Sequence, residues 1–405
     1  MTFAFAVQKT TYWIGYRVFR LLVYPFLRNR FGVKADAPWV IGGHRGRLYE
    51  DNCAALHSYL IRHTRQPVLW LTSNPELVSR FQSEGIPVLK RHSLRARIAL
   101  MQAPVLIHSH GEKDLDEYFL SANRKFGFRV YLNHCLNVIK AGQCYSDRYD
   151  GLSPAQKQAF QRSTTQFDRF LVSSETERKF AKWSFPHLSD KIILGGGAHL
   201  DFFFDPANRV AAQKKVFYFP TFRDGGIETK YSVQDMLEKL VRDPDLTAWL
   251  KAEGMTFEIG RHINTQSLEI PDEAKSIFRE VGPDELKKSL MECELFISDY
   301  SGIQGDYLAL QKPIIHFIYD LDDYLKVRRL YVKYEDFAFG PVVKSVSELV
   351  EVLRSKRYRS EEYVLRAQRR FEEYFPVAKP EYAATTYAVI LRELEQFQKS
   401  GALTP

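Results

Sequence analysis

The stretch Leu295–Ile318, LFISDYSGIQGDYLALQKPIIHFI, limits what this chain can fold into more than any other. Leu295, Phe296 and Ile297 form a short apolar run, the pattern of a buried strand. Ser298 and Asp299 are N-cap residue types, and Ser301-Gly302 open a helical turn. Ile303, Tyr307, Leu308 and Leu310 recur at helical spacing until Lys312-Pro313 stops them, and Ile314–Ile318 is a second apolar run. Strand, tight turn, helix and strand make a βαβ unit, whose crossover is right-handed in nearly all proteins. The turn at Asp299–Gly302 presents free backbone N–H groups beside small hydroxyls, which suits phosphate, although many parallel sheets carry such a turn with nothing bound.

The same alternation covers most of the 405 residues. Val40-Ile41, Val68–Leu71, Val105–Ser109, the run ending just before His134, Phe167–Ser174 and Lys191–Leu194 predict strands of one parallel α/β sheet. Val216–Phe219, Met255–Gly260, Leu295–Ile297 and Ile314–Ile318 predict those of another. A chain of this length exceeds one ordinary core, and polarity rises around Pro206–Lys215, which marks a boundary. The expected division is a basic aromatic helix at 1–35, α/β domains at 36–208 and 209–375, and a C-terminal helix at 376–405 with room to return to the first domain.

Hydrophobic content of 45% and charged content of 26% are those of a globular chain. A net charge of +8 favours an anionic substrate, an anionic membrane surface or nucleic acid; with no basic run or recognised motif, nucleic acid is not expected. The four cysteines include no CxxC pair, so neither a zinc cage nor a disulfide framework is expected, in keeping with a reducing cytoplasm. The N-terminus lacks the pattern of a cleavable signal. Tyr12–Phe31 is interrupted by Arg17, Arg20, Arg28 and Arg30, which argues against a membrane span. Trp13, Tyr16, Phe19, Leu22 and Val23 share one helical face, which suits either a membrane interface or packing on the chain's own domain.

Particular residues stand where chemistry is commonly placed. His134 follows a strand's carboxyl end, where open α/β sheets put their reacting groups, though such a histidine is also often structural. Asp51 or Asn52 could cap the helix that follows a Gly-rich turn. Arg223 could hold a phosphate, with Asp224 pinning it, or the two could form a surface pair of little energetic worth. Arg261 and His262 close another strand and offer hydrogen-bond donors to an anion.

The order SDYSG (Ser298–Gly302), GDYLAL, KPIIHF, YDLDDY, YEDF and GP, ending at Pro341, resembles the donor-binding half of the CDP-glycerol glycerophosphotransferases, the teichoic-acid primases and polymerases and their capsule relatives. The turn Pro220-Thr221-Phe222-Arg223-Asp224 matches that family closely. The first half resembles it in patches. Gly46, Tyr49, Asp51 and Asn52 match a glycine, tyrosine and Asp-Asn stretch. His134 and Lys140 are kept from a Trp-His-Gly motif whose other positions carry Asn133, Cys135, Leu136 and Asn137. A Gly-x-Pro-Arg-x-Asp turn keeps Gly197 and Asp201 but has Ala198 and His199 in place of Pro and Arg, so no role is carried onto His199.

The resemblance implies a GT-B-like α/β fold, two Rossmann-like domains with parallel sheets facing across a cleft. The first would bind acceptor and the second donor. It implies transfer of glycerol phosphate from CDP-glycerol to a hydroxyl of a glycan or polyprenyl-linked acceptor, releasing CMP, at the inner face of the cytoplasmic membrane. His134 would be the base and His262 a second catalytic histidine. Thr221, Arg223, Asp224, Arg261, Asp299, Tyr300, Ser301, Gly302 and Asp306 would serve the donor, and Gly46, Tyr49, Asp51, Asn52 and Lys140 the acceptor. No cofactor beyond the donor CDP-glycerol and no metal is expected, and no oligomeric state is specified. The length leaves little beyond two domains, which leans towards a primase or surface-polysaccharide modifier. Alternatives are a nucleotide-sugar glycosyltransferase of the same architecture, a CDP-ribitol-dependent transferase, and a non-catalytic membrane-associated binding protein.

Overall fold

Short, almost wholly apolar strands need cover on both faces, and two parallel sheets give it. The structure, a computed structural model, describes residues 32–116, 119–120, 127–136, 138–164, 167–221, 223, 232–261 and 267–400. Of the aromatic helix expected at 1–35, residues 1–31 lie outside the described residues, as do Asp224 and His262. Among the described residues the first sheet has seven parallel strands: β1 Trp39–Ile41, β2 Val68–Thr72, β3 Val88–Lys90, β4 Val105–His108, β5 Phe128–Tyr131, β6 Arg169–Val172 and β7 Ile192–Leu194, in the order β3-β2-β1-β4-β5-β6-β7. The second has six: β8 Gln213–Phe219, β9 Thr256–Gly260, β10 Phe278–Val281, β11 Cys293–Ser298, β12 Ile314–Phe317 and β13 Val342–Val343, ordered β10-β9-β8-β11-β12-β13. Both are doubly wound. The order reverses between β1 and β4 in one and between β8 and β11 in the other, and ligands of such sheets bind outside the strand ends at that reversal.

The two domains meet through side chains and backbone. Tyr331 of the second domain stacks on Phe180 of the first with ring centroids 4.5 Å apart. The Tyr374 hydroxyl donates to the Val138 carbonyl at 3.1 Å, and Lys140 and Leu330 form an antiparallel bridge. Leu136, Val138, Ile139, Phe180 and Leu200 share one buried apolar cluster with Phe296, Tyr307, Leu308 and Tyr331.

After the helix Glu361–Tyr374 the chain crosses back, and the helix Tyr382–Lys399 packs on the first sheet's helix Asp51–His63. Ala383, Val389 and Ile390 join a buried cluster with Trp39, Trp70 and Phe128. The Asp201 carboxylate accepts from the backbone N–H groups of Tyr382 at 2.7 Å and Ala383 at 2.9 Å, so a first-domain side chain satisfies this helix's open N-terminus. No helix among the described residues is long and apolar enough to cross a membrane.

Asp201→Ala leaves those two donors unpaired. Unfolding in urea should show a loss of about 1–2 kcal/mol, the usual worth of an N-cap; an unchanged midpoint would mean that the helix is held by its apolar face alone.

Candidate active site

Each sheet brings residues to its point of reversal, and the two points face one another. In the second domain, Thr221 follows β8 and Asp299 follows β11. The Asp299 carboxylate is fully buried and accepts from the Thr221 N–H at 2.9 Å, the Thr221 hydroxyl at 2.6 Å and the Tyr300 N–H at 2.6 Å. Arg223 Nη2 pairs with it at 2.9 Å, and the same guanidinium grips Asp320 through Nε at 2.7 Å and Nη2 at 2.9 Å. Arg223 Nη1 donates to the Thr221 carbonyl at 2.6 Å. Tyr300, Tyr319 and Tyr324 surround the guanidinium, their ring centroids 5.0, 5.8 and 5.4 Å from Cζ.

These contacts change several sequence expectations. Asp299 does not cap the following helix. That helix, Ile303–Leu308, starts after Gly302 with no side-chain cap, because the Asp299 carboxylate is drawn into the tertiary network. Arg223 spends most of its N–H groups on protein oxygens, which makes it a buried clamp rather than an open phosphate contact or a surface pair. Tyr300 is buried with its hydroxyl on Asp320 at 3.1 Å. Arg261 is half-exposed beside Glu280 at 3.1 Å. Gln304, fully buried, donates to the carbonyls of Asp299 at 2.6 Å and Ser301 at 3.1 Å and fixes the turn.

In the first domain three histidines gather at the strand ends. His44 comes after β1, His110 after β4 and His134 after β5. His110 stacks on His134 with centroids 4.2 Å apart and lies 4.4 Å from the His44 ring. His44 Nε2 stands 2.9 Å from Asp51 Oδ2, and the Ser109 hydroxyl donates to the same oxygen at 3.1 Å. Asp114 accepts from the backbone N–H groups of Ser109, His110 and Arg45 at 2.8, 2.7 and 2.7 Å. Four non-glycine residues here, His44, Arg45, Asp51 and Asn133, hold positive φ between 46° and 61°, a conformation that costs energy and tends to collect at functional sites.

Burial and charge set these groups apart. His134 as a residue is exposed, yet the surrounding protein desolvates its imidazole and lowers its pKa. Burial also lowers His110, only partly offset by Asp114. Burial lowers His44 too, but the hydrogen bond and charge of Asp51 outweigh it and the net shift is upward. Burial alone would raise Asp114, but His110 and the backbone donors bring it down to about 2. One ligand atom each from His44, Asp51 and His110 lies within 4.8 Å of the others, a spacing that could hold a cation.

The other acceptor-side expectations separate. Gly46 is buried at φ 74°, where a Cβ would stand 2.3 Å from Arg91 Cδ, so it serves a tight turn. The Tyr49 hydroxyl bonds His57 at 2.9 Å and its ring packs on Trp70 and Phe81, inside the domain. Asn52 is buried and caps nothing: its Nδ2 donates to the carbonyls of Leu132 and Asn133 at 3.0 and 3.2 Å. Asp306 takes the His199 ring at 2.8 Å. Lys140 is exposed at the interdomain bridge. The turn at the second sheet's reversal touches the first domain at the end of β5, beside the first sheet's reversal, since a Cβ built on Gly302 would stand 2.9 Å from Cys135 Sγ, one residue beyond His134. His44, His110 and Asp320 went unread in the sequence. The two histidines obey the strand-end rule that singles out His134, and that rule applied to every predicted strand finds them.

The family model of the CDP-glycerol:poly(glycerophosphate) glycerophosphotransferases matches residues 29–390. The teichoic acid poly(ribitol-phosphate) polymerase of Bacillus spizizenii is 28% identical over 381 residues, 88% of this chain and 55% of that protein. The teichoic acid glycerol-phosphate transferase of Staphylococcus aureus is 21% identical over 345 residues, 79% of this chain and 84% of that one. Thus the chain spans little more than half the length of the Bacillus relative. Among solved structures, that of the wall teichoic acid polymerase TagF superposes with a TM-score of 0.69 at 17% identity, covering 90% of each chain, and shows the same GT-B fold.

Arg223→Ala would leave Asp299 and Asp320 as buried, uncompensated charges. A loss of about 3–5 kcal/mol is expected in denaturant unfolding. Full stability with lost activity would instead mean that the guanidinium serves the substrate.

Proposed function

The chain belongs to the CDP-glycerol:poly(glycerophosphate) glycerophosphotransferase family, and on that premise we propose that it transfers glycerol phosphate from CDP-glycerol to a hydroxyl of a glycan or lipid-linked acceptor, releasing CMP. The observation that carries this reading is the contact between the second sheet's reversal-point turn at Gly302 and Cys135 at the end of β5, next to His134. The acceptor oxygen attacks the phosphorus bearing glycerol, the pyrophosphate P–O bond breaks, and CMP leaves with that oxygen. His134, kept largely neutral at neutral pH by its lowered pKa, takes the acceptor's proton. The Ser301–Gly302 turn, held by Gln304, and Arg261 face the donor phosphates. The rigid Asp299–Arg223–Asp320 clamp keeps that turn in place. Positioning and charge neutralisation make up most of what phosphoryl transfer asks of a protein.

CDP-ribitol is the second reading, favoured by the ribitol-phosphate polymerase among the relatives. The arginines and aromatic residues between positions 11 and 31 support a place on the inner face of the cytoplasmic membrane, where a polyprenyl-linked acceptor would reside.

Purified protein supplied with CDP-glycerol, CDP-ribitol or UDP-glucose and a membrane acceptor fraction should release CMP from CDP-glycerol. Release from CDP-ribitol alone would move the assignment to ribitol, and UDP release would overturn it. His134→Ala should cut the rate by about 10²–10⁴. Since the base acts unprotonated and its pKa is lowered from 6.5, the acid limb of kcat/KM of the wild type should lie below pH 6.5.

A further inference from the structure

His199 stands on the short turn Ala198–Leu200 beyond β7, only 8% exposed, and both of its ring nitrogens face oxygen acceptors. Nδ1 is 2.7 Å from Asn52 Oδ1, and Nε2 is 2.8 Å from Asp306 Oδ1 on the second domain's helix Ile303–Leu308. The orientation of Asn52 is fixed independently. Its Nδ2 donates to two carbonyls, and its Oδ1 also accepts the His199 backbone N–H at 3.1 Å. Oδ1 therefore receives a proton from Nδ1, and the Asp306 carboxylate receives one from Nε2. A neutral imidazole has only one N–H to give.

We propose that His199 is a doubly protonated imidazolium that ties the donor-side helix to the strand end carrying His134, a positioning residue for the transfer. The link runs from Asp306 through His199 and Asn52 to the carbonyls of Leu132 and Asn133, immediately before His134. It rests on the activity proposed above.

The charged groups around the ring are Asp306, Asp51 on the helix Asp51–His63, Asp201 just beyond the turn, and Lys287 on the helix Leu286–Glu292. Burial lowers the pKa of His199, Lys287 opposes its charge, and Asp306 with Asp51 outweigh both, so the net shift is upward from 6.5. With the folded value raised, the link is fully formed below the unfolded pKa and is lost as pH rises through the folded one.

The charge state is read without substrate. Histidine-selective ¹⁵N spectra of the full chain should show one imidazole, absent from His199→Gln, that keeps both protons above pH 6.5 and loses one at lower pH in Asp306→Asn. A neutral His199 at pH 6.5 would overturn the proposal. Positioning is read by amide exchange of residues 132–136, expected to quicken at least about tenfold in His199→Gln and less in His199→Arg, which keeps a cation. Equal exchange in wild type and His199→Gln would sink that part. In the CMP-release assay, kcat of wild type should fall on the alkaline side and that of His199→Arg should not, while the acid limb set by His134 stays put; the same alkaline limb in both would refute the link. Silence of the wild type with every donor would defeat the proposed activity, and the spectra and exchange would still decide the ion pair.

Discussion

A carboxylate without water needs compensation from every side, and Asp299 gets it. Thr221 gives two hydrogen bonds, Tyr300 one and Arg223 an ion pair, so the ends of β8 and β11 are locked together at the point where the second sheet reverses. Arg223 then extends the lock to Asp320 beyond β12, and three tyrosine rings keep solvent away from the guanidinium. Charge-assisted bonds in a dry setting are strong, and the loss of any partner leaves a costly unpaired ion. The geometry of the Ser301–Gly302 turn follows from this cluster rather than from local helix signals.

That turn meets the first domain at Cys135, and the approach is close enough that a side chain on Gly302 would displace the Cys135 thiol. The first domain answers with strain. Positive φ at His44, Arg45, Asp51 and Asn133 aims side chains across the strand ends, and buried hydrogen bonds to Asp114 and Asn52 hold that backbone in place. Rigidity on both sides suits the proposed transfer, whose chief demand is that two substrates be held in line.

Most of the architecture was legible because central strands covered on both faces, such as β2, β4 and β12, are written as short apolar runs; Phe278–Val281, with Arg279 and Glu280 at its centre, carries no such run. His134 was legible for a topological reason, its place after β5. His44 and His110 share that reason, but they belong to loops far apart in sequence, and only the pairing of β1 with β4 brings them together. Asp299 read as a cap because Ser-Asp before an apolar helix is a local signal; the partners that override it, Thr221 and Arg223, lie nearly eighty residues earlier. His199 replaced an expected arginine and so invited no role, since its meaning depends on Asp306 across the domain boundary.

The helix Tyr382–Lys399 has a consequence for biosynthesis. Arg169 waits for Glu393, 224 residues further along, and Trp39 and Phe128 wait for Tyr387 and Phe397. At ribosomal speeds that gap amounts to roughly 10–45 s during which one face of the first sheet lacks its cover. The usual order, in which an N-terminal domain is finished before the next emerges, is therefore closed to this chain. Its apolar face stays open until that helix emerges, and substitutions that weaken this helix should tell first on yield during synthesis, before they tell on the finished protein.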